Sequence, residues 1–492
     1  MHMKITAQKG DNGRYDLLVM GMFEQEVEHI KKIDEKLNGE IAAAIKKKEF
    51  TGETGQLKSI STLGKLPAEK ILVIGLGKKT DYTKENIRRA AGAAIRVALS
   101  LNARKCTTLL HEAECESTTE SERIAAVVEG SVLGLYRFNQ YKTDKKEQEK
   151  QVDELVIPTN NSEANEAIHK AETVCTSTLH VRDMVNTPAN IATPRYLADE
   201  ALKLKKLGVK VKVYEKDELQ KMGFNAFLAV AQGSAQPPVF VVMEYGSGKD
   251  VYACIGKGIT FDSGGLNIKP TTGMEDMKMD KAGAATVIAL METVARLKLS
   301  VHLICAFPAC ENMLSGTSYK PGDIITSYNK KNIEMMNTDA EGRMVLSDAL
   351  SFIEKQYAPK AMIDLATLTG ACVVALGYWA TGLMTTDDGL FEQLRDAGKE
   401  TGERVWRLPL WDEYKDILRS ENADVRSVGR SYDAGTIAGA IFLKNFVEKT
   451  PWVHLDIAGT AWMPENKYYY TKGATGTGVR LLVNWLEKKV KD

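Results

Sequence analysis

Residues 251–270, VYACIGKGITFDSGGLNIKP, decide how this chain is read. The first five, Val251 to Ile255, form a short apolar run of strand length, and a glycine-rich loop follows at once. A strand that runs into such a loop is where α/β proteins build sites, because the backbone there can bend sharply and come near a ligand. Two lysines, Lys257 and Lys269, and two acids, Asp262 and Asp280, leave this one strand end. The loop is not a phosphate cradle. GxxxxGK[ST] is absent, and Phe261 stands where the last glycine of GxGxxG should fall. A nucleophile elbow fails as well, since Ser263 follows Asp262 and Phe261 occupies the first glycine position of GxSxG.

A second segment, NTDAEGRMVL over residues 337–346, adds two more carboxylates. Asp339 and Glu341 are two apart, so in an extended or tightly turning segment both can point to one side. Gly342 permits close backbone approach, and Arg343 supplies a cation beside them. Residues 344–357 read as a helix, which puts the acidic turn at a helix N-terminus, where anions are favoured. Taken alone, the turn also reads as an ordinary acidic cap. With Asp262 and Asp280 the segment makes a carboxylate-rich set whose members would repel one another and raise each other's pKa. Divalent ions resolve that conflict. The seven histidines contain no HExxH and no close pair, so any metal here is held mainly by oxygens.

The run NTDAEGR, together with GKGITFDSGG and the Lys269 and Asp280 that follow it, resembles the leucyl (cytosol) aminopeptidases, hexameric two-metal exopeptidases. Segments 186–190 (NTPAN), 366–370 (ATLTG) and 456–459 (DIAG) are similar to that family too, and the likeness covers most of the chain from about Asn186 onward. Position by position, the resemblance implies a tight metal site of the Lys257 amine with Asp262, Asp280 and Glu341. A second, more exchangeable site would take Asp262, Asp339 and Glu341, so that Asp262 and Glu341 bridge two divalent ions, Mn2+ or Zn2+. Lys257 as a ligand needs a neutral amine, far from its ordinary pKa of about 10.4. Lys269 is expected to polarise the scissile carbonyl, and Arg343 to hold a bicarbonate that takes the proton from the metal-bridging water. Taken singly, each of these three cations also reads as a solvated side chain on a loop.

The same resemblance places Met277, Thr367, Gly370, Ala458 and Ala461 around the first side-chain pocket. Such a pocket is apolar with Met277 as an adaptable wall, and favours Leu or Met at the N-terminus of short peptides. Size discrimination is modest, about 1–3 kcal/mol per methylene. Two departures from the pattern stand out. Met344 replaces the motif's usual final Leu, a near volume-conserving change. Lys281-Ala282-Gly283 follow Asp280 in place of Met-Gly-Gly, and a cation at Lys281 is expected to weaken metal affinity unless it points outward.

The fold class expected is α/β in two domains: a small N-terminal α/β (macro-like) domain over 1–160, a connecting helix over 161–185, and a catalytic domain over 186–492 with a mixed, mostly parallel sheet flanked by helices. Strands are expected at 15–20, 70–74, 106–110 and 152–157 and helices at 84–101 and 122–136 in the first; in the second, strands at 239–245, 251–255, 301–307, 361–365 and 453–457, helices at 282–297, 344–356 and 438–447. The charged run 142–151 alternates in sign and reads as an exposed loop. Sixty-five basic against 65 acidic residues give no net field for nucleic acid. Seven cysteines in apolar surroundings read as buried thiols of a reducing compartment. With no signal-like N-terminal stretch and no apolar run of about 18 residues, a cytoplasmic location without membrane association is expected. A homohexamer is implied by the resemblance. Two rival readings are a two-metal phosphatase, which uses the same carboxylate logic, and a binding protein whose N-terminal domain contacts DNA or a partner.

Overall fold

A computed structural model of the chain describes residues 3–10, 13–24, 26, 28–115, 117–144, 150–429, 431 and 433–491. Within the run expected as an exposed loop, residues 145–149 lie outside the described ones. Contacts divide the chain into two compact units, Met1–Thr176 with Glu465–Thr471, and Ser177–Pro464 with Lys472–Asp492. The helix Ala164–Asn186 passes through that division.

In the first unit a six-stranded sheet runs in the order Lys4–Gln8, Glu154–Pro158, Lys105–Thr108, Tyr15–Phe23, Ala68–Gly77, Leu57–Ser61. All pairings are parallel except that of Leu57–Ser61 with Ala68–Gly77. Alternation along Tyr15–Phe23 explains why both faces are covered. Leu17 and Val19 pack into one apolar cluster with Ile87, Ile95 and Ile124, while Leu18 and Met20 pack into another with Ile30, Leu37 and Ile41. The helix Glu120–Gly134 starts at a capping box in which Thr119 accepts from the Glu122 N–H and the Glu122 carboxylate accepts from the Thr119 N–H. The strand Leu57–Ser61 and the helices Glu28–Lys36 and Glu40–Lys46 were not expected from sequence; the strand alternates exposed and half-buried residues, an edge pattern without a strong apolar signal.

In the second unit eight strands run in the order Val405–Arg407, Thr381–Thr385, Trp452–Asp456, Ala361–Ala366, Val251–Gly256, His302–Asn312, Val239–Tyr245, Lys210–Glu215, and a ninth, Gly258–Asp262, pairs with His302–Asn312. The sheet is mixed and mostly parallel, with antiparallel pairs at its two sides. Helices Ala282–Leu297, Glu341–Tyr357 and Gly435–Lys444 are largely buried. The strand His302–Asn312 runs five residues beyond the expected end at 307, and Glu341–Tyr357 starts three residues before the expected 344. The helix extension brings Glu341 and Arg343 into the lining of the cavity described below, and the strand extension ends at Asn312, which is bonded to Asp262. All seven cysteines are buried. Among the described residues no helix is long and apolar enough to cross a membrane.

Candidate active site

The site lies past the carboxyl ends of parallel strands, where a doubly covered sheet leaves a crevice. Lys257 is the first residue after Val251–Gly256, and its backbone is fixed by Lys257 N–H to Leu365 C=O at 3.0 Å and Ala284 N–H to Lys257 C=O at 2.8 Å. Asp262 ends Gly258–Asp262. Asp280 lies in the tight helical turn Met274–Lys281, immediately before Ala282–Leu297, and Glu341 is the first residue of Glu341–Tyr357. Asp262, Asp280 and Glu341, all buried, offer oxygens within 4.8 Å of one another.

Two ammoniums sit among the carboxylates. Lys257 Nζ is 2.7 Å from Asp280 and 2.7 Å from Glu341, while Lys269 Nζ is 2.8 Å from Asp262 and 2.5 Å from Asp339. Four carboxylates against two ammoniums leave a net negative charge in a buried pocket. Among the described residues, Asp280 Oδ2 and Glu341 Oε2 are buried without a hydrogen-bond partner. Burial and the Glu341 and Asp280 charges hold Asp262 well above the usual carboxylate range, against the pull of Lys269 and Lys257. Burial pushes Asp280 up to about 6 against the pull of Lys257. At Glu341 burial raises the pKa, but Lys257 and Lys269 outweigh it and the net shift is downward. Burial opposes the charge on Lys257 and Lys269, yet the facing carboxylates hold both above the ordinary lysine range.

Gly342 is required by this packing. A Cβ there would lie 2.5 Å from Lys257 Cε and 2.7 Å from its Nζ. Gly264, at φ +85°, takes the left-handed turn that returns the loop past Asp262, whose Oδ1 accepts from the Gly264 N–H at 2.9 Å. Arg343 is buried and donates from Nη1 to the Ser427 carbonyl at 2.7 Å, while its Nε has no hydrogen-bond partner among the described residues. Burial lowers its pKa to about 10, against the pull of Glu341 and Asp456.

A cavity of about 850 Å³ contains all seven expected metal and catalytic residues in its lining, and also Met277, Thr367, Gly370 and Ala458. Ala461 is not part of that lining; it is buried, and its N–H is bonded to the Ile457 carbonyl. Lys281 neither reaches solvent nor faces the carboxylates. It is fully buried and donates to the carbonyls of Thr187 at 3.0 Å and Lys278 at 2.7 Å, so its head is engaged by backbone oxygens, and burial together with Lys278 pushes its pKa down to about 7 against the pull of Asp280.

Several positioning residues escaped sequence reasoning. Thr367 does more than line a pocket: its hydroxyl donates to Asp280 Oδ1 at 2.7 Å and its carbonyl accepts from Lys257 Nζ at 2.9 Å. Asn312 Nδ2 donates to Asp262 Oδ1 at 2.8 Å and to the Thr338 carbonyl at 2.9 Å, and Tyr319 OH to the same carbonyl at 2.7 Å. Asp456 accepts from Leu368 N–H, Ala458 N–H and the Thr369 hydroxyl, which ties segment 366–370 to segment 456–459. The available signal was a polar residue closing an apolar strand, Asn312 and Asp456 alike.

With this geometry in hand, comparison with known proteins is decisive. The catalytic-domain model of the cytosol aminopeptidase family matches residues 179–483, and that family's N-terminal-domain model matches 19–145. The chain belongs to the cytosol aminopeptidase family. A probable cytosol aminopeptidase of a Geobacter species is 46% identical over 499 residues, covering 99% of this chain and 100% of the relative. That of Alkaliphilus metalliredigens is 40% identical, covering 98% of each. Among solved structures, a mutant of tomato leucine aminopeptidase is similar with TM-score 0.89 and 33% identity, over 99% of this chain and 97% of the other. The bottromycin maturation enzyme BotP in complex with Mn gives 0.87 and 31%, over 96% and 99%. As a cytosol aminopeptidase family member the chain is a metal-dependent aminopeptidase, a hydrolase, which decides against the phosphatase reading.

Proposed function

We propose that the enzyme releases N-terminal apolar amino acids, Leu and Met foremost, from short peptides with a pair of divalent ions, Mn2+ or Zn2+. The observation that carries this reading is the pair of buried, unpartnered oxygens, Asp280 Oδ2 and Glu341 Oε2, in a pocket with more carboxylates than cations. Hard divalent ions suit such an oxygen-rich donor set. Lys257, Asp262, Asp280 and Glu341 would hold one ion, and Asp262, Asp339 and Glu341 the other. When bound, the pair would supply Lewis acidity for the peptide carbonyl and a water ionised near neutral pH. Among carboxylates alone Lys257 stays cationic, and divalent charge in their midst would oppose the field that keeps its proton.

Lys269 has the role of electrophile. Its ammonium is held by Asp262 and Asp339 and is only partly buried, at 19% side-chain exposure, so it can reach a substrate carbonyl and donate to the developing oxyanion. Arg343 Nε, buried without a partner, suits a small anion, and a bicarbonate there would supply a proton-accepting oxygen. Asp280 accepts the substrate α-amine. Met277, Thr367, Gly370 and Ala458 form the side-chain pocket, in a catalytic domain taken as residues 186–492. We further propose a cytoplasmic homohexamer enclosing its active sites, which would exclude folded proteins and admit short peptides; light scattering should report six chains.

The test uses the free amine. Metal-loaded enzyme should cleave Leu-amide and leave N-acetyl-Leu-amide intact. Equal turnover of the two overturns the exopeptidase reading.

A further inference from the structure

Arg426 lines the cavity and has no part in the chemistry above. It belongs to the two-residue strand Val425–Arg426, which runs parallel to Asn332–Glu334 with Glu334 opposite Arg426. The following residue, Ser427, accepts from Arg343 through its carbonyl, so the backbone that carries Arg426 is anchored to the active site itself. The same cavity is also lined by Met336, Asn337, Val428 and Gly429, from segments other than those of the side-chain pocket.

The state of its guanidinium is unusual. The side chain is 11% exposed, and its ion-pair partner Glu334 is 3.7 Å away, beyond a hydrogen bond. Glu334 instead accepts from Ser420 Oγ at 2.6 Å and Asn422 Nδ2 at 2.8 Å. Arg426 Nε is buried with no hydrogen-bond partner among the described residues. Lys257 and Lys269, by contrast, each contact two carboxylates. Arg426 therefore brings to the cavity a cation whose planar donors are not taken up by its counter-ion. Such a fork matches a carboxylate in two-point geometry.

We infer that Arg426 binds the C-terminal carboxylate of a short peptide substrate, making the enzyme select free peptides of a particular short length. The inference deepens the aminopeptidase reading above and rests on it. A peptide whose α-amine lies at the carboxylate cluster extends at most about 3.6 Å per residue, and a cavity of about 850 Å³ suits a ligand of a few residues. The terminal carboxylate of such a peptide is its most costly group to desolvate, and the acidic cavity wall would repel it. A guanidinium with unused donors offsets both effects.

The experiment compares acid and amide forms of the same peptides, Leu-Gly with Leu-Gly-amide and Leu-Gly-Gly with Leu-Gly-Gly-amide, on the metal-loaded enzyme. For one length the acid should have a kcat/KM about tenfold above the amide, mainly through KM. Arg426→Gln should lose about tenfold more on that acid than on its amide, and Arg426→Lys should keep part of the preference. Equal losses on acid and amide would mean that Arg426 only supports the fold around Glu334, and would overturn the inference. If Arg426→Gln does not fold, the wild-type ratio decides: acid and amide cleaved equally at both lengths overturn it. A wild-type enzyme that cleaves neither form, nor Leu-p-nitroanilide, would overturn instead the aminopeptidase reading on which the inference rests.

Discussion

Two buried clusters of acids and bases in the second unit make a useful contrast. At the first, His180 lies between Glu292 (Nδ1 to Oε2, 3.0 Å) and Glu200 (Nε2 to Oε2, 3.2 Å). The other oxygens of those glutamates are taken by Arg296 Nε at 2.9 Å and Lys203 Nζ at 2.6 Å. Charge and hydrogen bonds are both complete, and the cluster clips Ala164–Asn186 to Pro194–Lys203 and Ala282–Leu297. At the second cluster, Asp262, Asp280, Asp339 and Glu341 exceed their lysines in charge, and two of their buried oxygens have no partner among the described residues. Similar residue types serve two ends. A satisfied cluster fastens helices; an unsatisfied one is built around something that binds.

The sharpest way to break this contrast is to neutralise one carboxylate on each side. Glu341→Gln should lower kcat/KM by about 10³-fold or more, with bound metal reduced by elemental analysis, because the lost charge would be shared between the two proposed ion sites. Glu292→Gln should leave turnover near wild type and lower the melting temperature. A Glu341→Gln enzyme with full activity would mean that the unpartnered oxygens have no ligand role.

A smaller effect separates chemistry from ligand binding. Lys269→Ala should lower kcat by about 10²-fold while metal content is retained, as for removal of an oxyanion donor. Arg343→Ala should cost less, since water partly replaces a bound anion, and added bicarbonate should no longer stimulate it. Loss of bound metal in the Lys269 variant would show that its ammonium organises the carboxylates instead.

The smallest effect probes the satisfied cluster by pH. Burial disfavours charge on His180, but its hydrogen bonds to Glu200 and Glu292 outweigh this and raise its pKa from 6.5 to about 9. A group whose folded pKa is raised stabilises fully below its unfolded value and loses that contribution as pH climbs through the folded one. Wild-type stability should therefore fall between about pH 6.5 and 9, by about 1–2 kcal/mol once partial exposure is allowed for. His180→Gln should flatten that slope in denaturant titrations at pH 6, 8 and 9.5. An unchanged slope would assign the effect to other groups.

Much of the site was legible in the chain. Residues 251–270 and 337–346 placed their carboxylates and lysines at a strand end and a helix start, because glycines and acids are tolerated together only where backbone bends and charge is used. Strand 239–245 and helix 282–297 were legible to the residue, since continuous apolar runs with clear ends fit few alternatives. The edge strand Leu57–Ser61 was not, because its side chains are half exposed and carry no periodic signal strong enough to read.

What the sequence determined by itself was the inventory: which acids, which cations, and the local turns that project them. Tertiary structure alone decided their partners. Asn312 meets Asp262, and Thr367 meets both Asp280 and Lys257, across 50, 87 and 110 residues of chain. Lys281, one residue from Asp280, is drawn instead to the carbonyl of Thr187, 94 residues away. Ala461 falls outside the cavity, and Arg426 inside it. Local residue preference acts over a few residues, whereas hydrogen-bond completion in a buried site is settled only when distant strands and helices pack, and no spacing along the chain records that outcome.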